Sequence, residues 1–228
     1  MLADPHSLGN ARQDASEALF DPDYWAARGE LTAVSGGRGS AWFAGSAAHA
    51  WVLRHYRRGG FMARISQDRY WWSGEDRVRS FTEWRLLLDL SQRGLSVPKP
   101  VAAFYRRERW TYSCDLITER ILAQPLSAAL NARALAAPVW RAVGAAVARL
   151  HRYGVDHADL NAHNILLDAA GTVSVIDFDR GQLRAPGAWT SRNLARLKHS
   201  LQKIAAAMPP DRFTPESWAE LVAGYQAD

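Results

Sequence analysis

Asp159, Asn164 and Asp177 are the residues whose types and spacing suggest chemistry. The first two stand in the string HADLNAHN, residues 157–164, and Asp177-Phe178-Asp179 begins thirteen residues after Asn164. Between them ILLD, AAG and TVSVI read as two short strands and a turn. An antiparallel hairpin over 165–168 and 172–176 returns the chain to its starting end, which makes Asn164 and Asp177 neighbours. An amide oxygen beside a carboxylate offers hard oxygen ligands to Mg²⁺, an ion that takes few protein groups and shares phosphates. Asp159, in the loop just before, is placed to accept a proton from a substrate hydroxyl. Taken singly, the three are a turn residue, a strand cap and a solvated strand end. In this order and spacing they form a phosphoryl-transfer layout, with one positioning base and two metal ligands.

The same pattern matches the catalytic and metal-binding loops of protein kinases, and the N-terminal half offers the remaining parts. Gly36, Gly37 and Gly39 lie in SGGRGS between two strand-like stretches, where glycines let backbone N–H groups approach phosphates. Alone, such a cluster is equally a plain hairpin turn. In kinases a nearby strand carries a Lys that holds nucleotide phosphates and pairs with a helix Glu. Here Trp51-Val52-Leu53-Arg54 puts Arg54 in that place, and Glu83 on the following helix is its natural partner. An Arg fork grips phosphate and carboxylate but is not geometrically equivalent to Lys. Phe178-Asp179 replaces the protein-kinase Phe-Gly, and neither an Ala-Pro-Glu motif nor a Ser/Thr-bearing activation loop of the usual length follows. A small or lipid-linked hydroxyl is therefore favoured over a protein acceptor.

These residues need a scaffold. The 228 residues, 48% hydrophobic and 22% charged, suffice for one domain or two joined lobes. Strand-like segments at 31–34, 41–45, 50–56, 101–106 and 111–121 precede helical patterns, which is an α+β layout of two lobes. A helix is predicted over 80–93, with Ser80 and Glu83 forming a capping box, Phe81, Trp84, Leu88 and Gln92 tracing one side with Leu87 beside them, and Gly94 as the stop. A second is predicted over 138–153, with Val139, Val143, Val147 and Leu150 on one stripe and Gly154 ending it. The tail from 191 is helical, with Leu194, Leu197, Leu201 and Ile204 on one face and Arg192, Arg196, His199 and Lys203 on the other. That apolar face either packs on the lobe or lies in a membrane interface. The first 20 residues are expected to be flexible.

Composition narrows the classes. No apolar run reaches the roughly 18 residues of a membrane span, and the N-terminus has no signal-peptide core. Cys114 is the only cysteine, so no intramolecular disulfide forms and a cytoplasmic setting is expected. The formal charge is +5, with six arginines from Arg57 to Arg79 and no acid from 180 to 210. Such stretches suit an anionic partner or are simply solvated surface. No helix-turn-helix, zinc or RNP signature supports nucleic acid as that partner.

Beyond the loops, GRG at 37–39, LRHYRRGG at 53–60, DRY at 68–70, RSFTE at 79–83, VPKP at 97–100, HADLNAHNILL at 157–167 and DFD at 177–179 resemble the 3-deoxy-D-manno-octulosonic acid (Kdo) kinases. That family belongs to the bacterial lipopolysaccharide kinases with a protein-kinase-like fold, and the resemblance runs from about Tyr24 to the C-terminus. It implies a single kinase-like domain over 1–228, with an N-lobe at about 20–118 and a C-lobe at 119–228. It implies transfer of the γ-phosphoryl of ATP to the 4-hydroxyl of Kdo on a lipid A precursor, with no obligate protein partner. The setting would be the anionic cytoplasmic face of the bacterial inner membrane. Asp159 would be catalytic, Asn164 and Asp177 would hold Mg²⁺, Arg54 and Glu83 would orient phosphate, and Gly36, Gly37 and Gly39 would cover the nucleotide. Arg in place of Lys is normal for that group. Arg57, Arg58, Arg64 and Arg69, interleaved with Phe61, Tyr70, Trp71 and Trp72, would grip the anionic glycolipid. Another sugar or aminoglycoside phosphotransferase, or a catalytically dead kinase-like binding module, remains as an alternative.

Overall fold

The computed structural model describes residues 1–3, 17–33, 41–45, 50–57 and 68–227, and the chain divides into two compact units. The first comprises 1–89 and 98–121, the second 90–97 and 122–228. Of the predicted site residues, Gly36, Gly37, Gly39, Arg58 and Arg64 lie outside the described residues, as does Phe61.

The first unit is built on an antiparallel sheet. Its strands are β1 (Leu2–Ala3), β2 (Leu31–Ala33), β3 (Ala41–Ala44), β4 (Trp51–His55), β5 (Tyr70–Trp71), β6 (Pro100–Glu108) and β7 (Thr111–Glu119), in the order β1-β6-β7-β4-β3-β2, with β5 also on β7. Alternation along β4 decides the two faces. Trp51 and Leu53 join Leu19, Trp25, Val101, Ala102 and Ile117 in a buried cluster. Within it the Trp25 and Trp51 rings meet edge to face at 5.6 Å, and the Trp25 indole N–H donates to the Leu19 carbonyl at 2.9 Å. Val52, Arg54 and Tyr56 take the other face. Within the first 20 residues, Leu2–Ala3 pairs with β6, and 17–20 forms a short 3₁₀ turn that buries Leu19. Residues 4–16 lie outside the described set.

Helix α1 (Pro22–Ala26) is capped by the Asp21 carboxylate, which accepts from the Asp23 N–H at 2.9 Å. Helix α2 (Arg79–Gln92) begins two residues earlier than Ser80 as its N-cap would require. Ser80 lies inside the first turn, buried, and donates to the Phe104 carbonyl at 3.0 Å. The tyrosyl hydroxyl of Tyr112 accepts the Arg79 N–H at 3.2 Å instead. The buried side of α2 runs through Ser80, Phe81, Glu83, Leu86, Leu87 and Leu90, as expected for Phe81 and Leu87, whereas Trp84 and Leu88 are only half-buried. The buried Ser80 and Glu83 escape a purely apolar periodicity. Gly94, with φ +76°, ends the helix as expected.

The second unit carries the helices α3 (Leu126–Ala132), α4 (Ala137–Arg152), α5 (Trp189–Ala205) and α6 (Pro215–Ala227) with short strands β8 (Gln124–Pro125), β9 (Val155–Asp156), β10 (Ile165–Leu167), β11 (Val173–Val175) and β12 (Gln182–Leu183). The predicted hairpin is present: β10 and β11 pair antiparallel with Ile165 opposite Val175, and β8 adds to β10. Helix α4 buries Val143, Val147 and Leu150, while Trp140 rather than Val139 completes the inner face. Helix α5 buries Trp189, Asn193, Leu197 and Leu201, so its inner side is a packing face, while Leu194 and Ile204 of the predicted apolar face are half-buried.

One buried imidazole couples this packing to pH. His151 accepts or donates to the Tyr225 hydroxyl through Nδ1 at 2.9 Å, approaches the Asn193 amide through Nε2 at 3.4 Å, and meets the Trp189 and Tyr225 rings edge on. Burial pulls its pKa down to about 4, against a smaller opposing pull from Asp156 and a reinforcing push from His157. Between pH 6.5 and 4 the unfolded chain binds a proton that the native chain refuses, so this group's contribution to stability is lost as pH falls. His55, held between Asp115 (2.6 Å) and Asp68 (3.3 Å), is shifted upward chiefly by its hydrogen bond to Asp115 and acts in the opposite sense. Comparing wild type with His151→Phe isolates the first effect. Urea unfolding is expected to show wild type losing about 2 kcal/mol more than the variant between pH 7 and pH 5. Equal losses would contradict it.

Candidate active site

The hairpin delivers the second unit's candidates as its register requires. The Ile176 N–H donates to the Asn164 carbonyl at 2.9 Å, so the two strand ends stay together and Asp177 follows directly. Asp177 has φ +67°, a left-handed conformation that Asp tolerates better than most residues. The preceding loop is braced from within. The Asn161 and Asn164 side-chain amides both donate to the Asp159 carbonyl, at 2.9 and 3.1 Å. The Asn161 side-chain oxygen Oδ1 accepts the N–H groups of His163 and Asn164 at 2.9 and 3.3 Å. Ala158 is held at φ +56°, with its N–H on the Asp156 carboxylate at 3.1 Å, and the Asp159 N–H turns back to the His157 carbonyl at 2.6 Å. A left-handed alanine costs roughly 1 kcal/mol, and the hydrogen bonds around it hold it there.

His157 of the loop is part of the core. His157 is buried, its ring 4.8 Å from Phe178 and its Nε2 2.8 Å from the Ile176 carbonyl oxygen. Burial depresses its pKa, so it is neutral and donates that bond. His163 is 2.9 Å from the Ser127 hydroxyl. Phe178 is itself buried, which explains an aromatic between two aspartates. Asp156, half of the β9–β12 pairing, accepts from Arg184 at 2.9 Å.

Asn164 illustrates what the loop can hold. Its amide nitrogen is spent on Asp159, and no hydrogen bond among the described residues occupies its Oδ1. Among the described residues no cluster of three or more His, Cys, Asp or Glu could bind a metal alone. An amide oxygen plus a carboxylate, short of a full cage, fits Mg²⁺ bound jointly with phosphates better than Zn²⁺ or Ca²⁺.

In the first unit Arg54 and Glu83 form an ion pair, as the spacing predicts, and Glu83 is almost wholly buried. Sequence reasoning missed the third member. Tyr56 donates its hydroxyl to the Glu83 carboxylate and accepts from Arg54 Nη2 at 2.8 Å, and the guanidinium lies 4.6 Å from its ring centre. The signal was available, because Tyr56 is two residues beyond Arg54 and so on its side of the strand. Glu83, rather than serving as a helix cap, is the buried anchor that aims Arg54.

Of the proposed acceptor-gripping arginines, Arg57 is exposed, and Arg69 pairs with Glu108 at 2.9 Å and Asp68 at 3.9 Å. Tyr70 is buried against Tyr112, and Trp72 packs on Tyr105 with Arg107 over its ring. Only Trp71, 70% exposed, is open to solvent among the described aromatics of that stretch. Cys114 is buried, its thiol pushed up to about 12 by burial, and is inert packing.

The profile of the lipopolysaccharide kinase (Kdo/WaaP) family matches residues 22–225. The chain belongs to that family. Among curated relatives of this kinase, a 3-deoxy-D-manno-octulosonic acid kinase of Stenotrophomonas maltophilia (strain K279a) is 48% identical over 196 residues, covering 84% of this chain and 77% of the relative. Proteins of the same name from Vibrio vulnificus (strain CMCP6) and Xanthomonas campestris pv. campestris (strain 8004) are 43% and 48% identical. They cover 82% and 84% of this chain and 79% and 77% of their own lengths.

Proposed function

We propose that this kinase transfers the γ-phosphoryl of ATP to the 4-hydroxyl of Kdo on a lipid A precursor, in lipopolysaccharide core biosynthesis. The observation that carries the reading is the braced loop that presents Asp159 and Asn164 beside the end of the hairpin that bears Asp177. The relatives' name supplies the acceptor. The two units correspond to the N-lobe and C-lobe of a protein-kinase-like fold in this reading.

Each residue then has a part. Asp159 accepts the hydrogen bond of the acceptor hydroxyl and takes its proton as the bond to phosphorus forms. Asn164 Oδ1 and the Asp177 carboxylate hold Mg²⁺, which when bound neutralises charge on the phosphates. Arg54 grips nucleotide phosphate, and its fork is kept in orientation by Glu83 and Tyr56. Gly36, Gly37 and Gly39 supply backbone N–H groups to the same phosphates. Arg57, Arg58, Arg64 and Arg69 are assigned to the anionic glycolipid.

No helix among the described residues is long and apolar enough to cross a membrane. The reading places the kinase peripherally on the anionic cytoplasmic face of the inner membrane, and the exposed Arg192, His199 and Lys203 of α5 suit that surface. The regiochemistry is tested by ¹H–³¹P correlation NMR of the product made from ATP, Mg²⁺ and Kdo-lipid A precursor. Coupling of the new phosphorus to the proton at C4 of Kdo is expected. Coupling elsewhere on Kdo overturns the 4-hydroxyl, and no new phosphorus overturns the acceptor.

A further inference from the structure

Asp159 makes one ion pair among the described residues, and its partner comes from a different element. Arg196 on α5 places Nη1 3.1 Å from Asp159 Oδ1, with the two side chains 50% and 46% exposed. The contact is an ion pair, and among the described residues the Asp159 carboxylate makes no other polar contact. Helix α5 is held on either side of Arg196. One turn later, the Ser200 hydroxyl accepts the N–H of Ala162 in the loop at 3.2 Å, and one turn earlier Asn193 is buried against α4, 3.4 Å from His151 Nε2. Arg196 and Ser200 thus both reach the loop, while the Arg196 side chain keeps half its surface in solvent.

An ion pair this exposed contributes little to stability, so its presence beside the loop calls for another explanation. A guanidinium has five N–H donors, and a single contact to Oδ1 leaves most of the fork available to a second oxyanion. The acceptor named for the relatives is an acid and therefore brings one. We propose that Arg196 is a specificity-determining residue that binds an oxyanion of the acceptor, carboxylate or phosphate, and thereby draws the acceptor hydroxyl to Asp159. The inference rests on the kinase reading given above. One charge then serves two ends: it holds Asp159 in place before the acceptor arrives, and it rejects neutral sugars that bring no anion to the fork.

A substrate-by-variant cycle tests this. Wild type, Arg196→Met and Arg196→Lys are assayed with ATP on three acceptors: Kdo-lipid A precursor, the same precursor with the Kdo carboxylate methylated, and the precursor stripped of its lipid A phosphates. Arg196→Met is expected to lose about 30-fold in kcat/KM on the native precursor, the size of one charge-assisted hydrogen bond, with the KM for ATP unchanged. Methylation or dephosphorylation should cost wild type a similar factor and cost Arg196→Met little. The modification that shows this coupling identifies the anion. Arg196→Lys keeps the charge without the fork, so it should fall between the two, and it carries the comparison if the Met variant does not fold. If both modifications cost the variant as much as they cost wild type, the inference fails while the kinase reading stands. If wild type phosphorylates none of the three, the kinase reading itself fails and the inference with it.

Discussion

Asp159→Asn is expected to lower kcat by about 10³-fold, within the range for loss of a general base, while the KM for ATP and the urea midpoint stay near wild type. The replacement is nearly isosteric, and the bonds that shape the loop run through backbone atoms. The Asp159 carbonyl accepts from Asn161 and Asn164, and its N–H meets the His157 carbonyl. None of these depends on the carboxylate. Among the described residues the one polar contact sacrificed is the half-exposed pair with Arg196, which contributes little to stability. The loss would thus be chemical rather than structural. Rapid-quench measurement of a single turnover separates the two, because a folding defect reduces the amplitude and a missing base slows the rate. A variant that keeps more than a tenth of wild-type kcat would mean that Asp159 is not the proton acceptor.

The largest stability effect is expected where α4 and α6 meet. Gly144 and Gly224 let the two backbones approach until no Cβ fits between them. A methyl at 144 would stand 2.0 Å from the Leu221 carbonyl oxygen, and one at 224 would stand 2.1 Å from that of Arg141. Both obstacles are backbone, so no rotamer change relieves them and the helices must part. The Arg141–Glu220 pair and the His151–Tyr225 contact lie along the same seam and would move with it. Gly224→Ala is therefore expected to destabilise by about 3 kcal/mol, even though alanine is the better helix former. Urea unfolding that finds the variant within about 0.5 kcal/mol of wild type would contradict the close approach.

The elements with local signals were legible in the sequence. A turn flanked by short β-branched and aliphatic runs marked the β10–β11 hairpin, and with it the meeting of Asn164 and the residue before Asp177. Arg54 and Glu83 were paired correctly, but the local explanation for Glu83 was wrong. A capping box and a buried ion-pair anchor share the same residue types, and only the tertiary partner tells them apart. The Arg196–Asp159 contact spans 37 residues of sequence between a helix and a loop, so no spacing rule could reveal it. The basic face of α5 was visible, but not which of its cations turns toward the loop. Gly144 and Gly224 carry no local signal of their role, which only the packing of α4 on α6 shows. Aromatics among arginines have the same composition whether they stack on a substrate or, as Tyr70 and Trp72 do, on Tyr112 and Tyr105, so their stacking partners were not legible.

The most direct measurement is the intact mass of Kdo-lipid A precursor after incubation with ATP, Mg²⁺ and either wild type or Asp159→Ala. The account predicts that wild type adds one phosphate and that the variant leaves the precursor unchanged at the same enzyme concentration. A precursor unchanged by wild type would contradict the acceptor assignment, and a phosphate added equally by the variant would contradict the placement of the chemistry at Asp159.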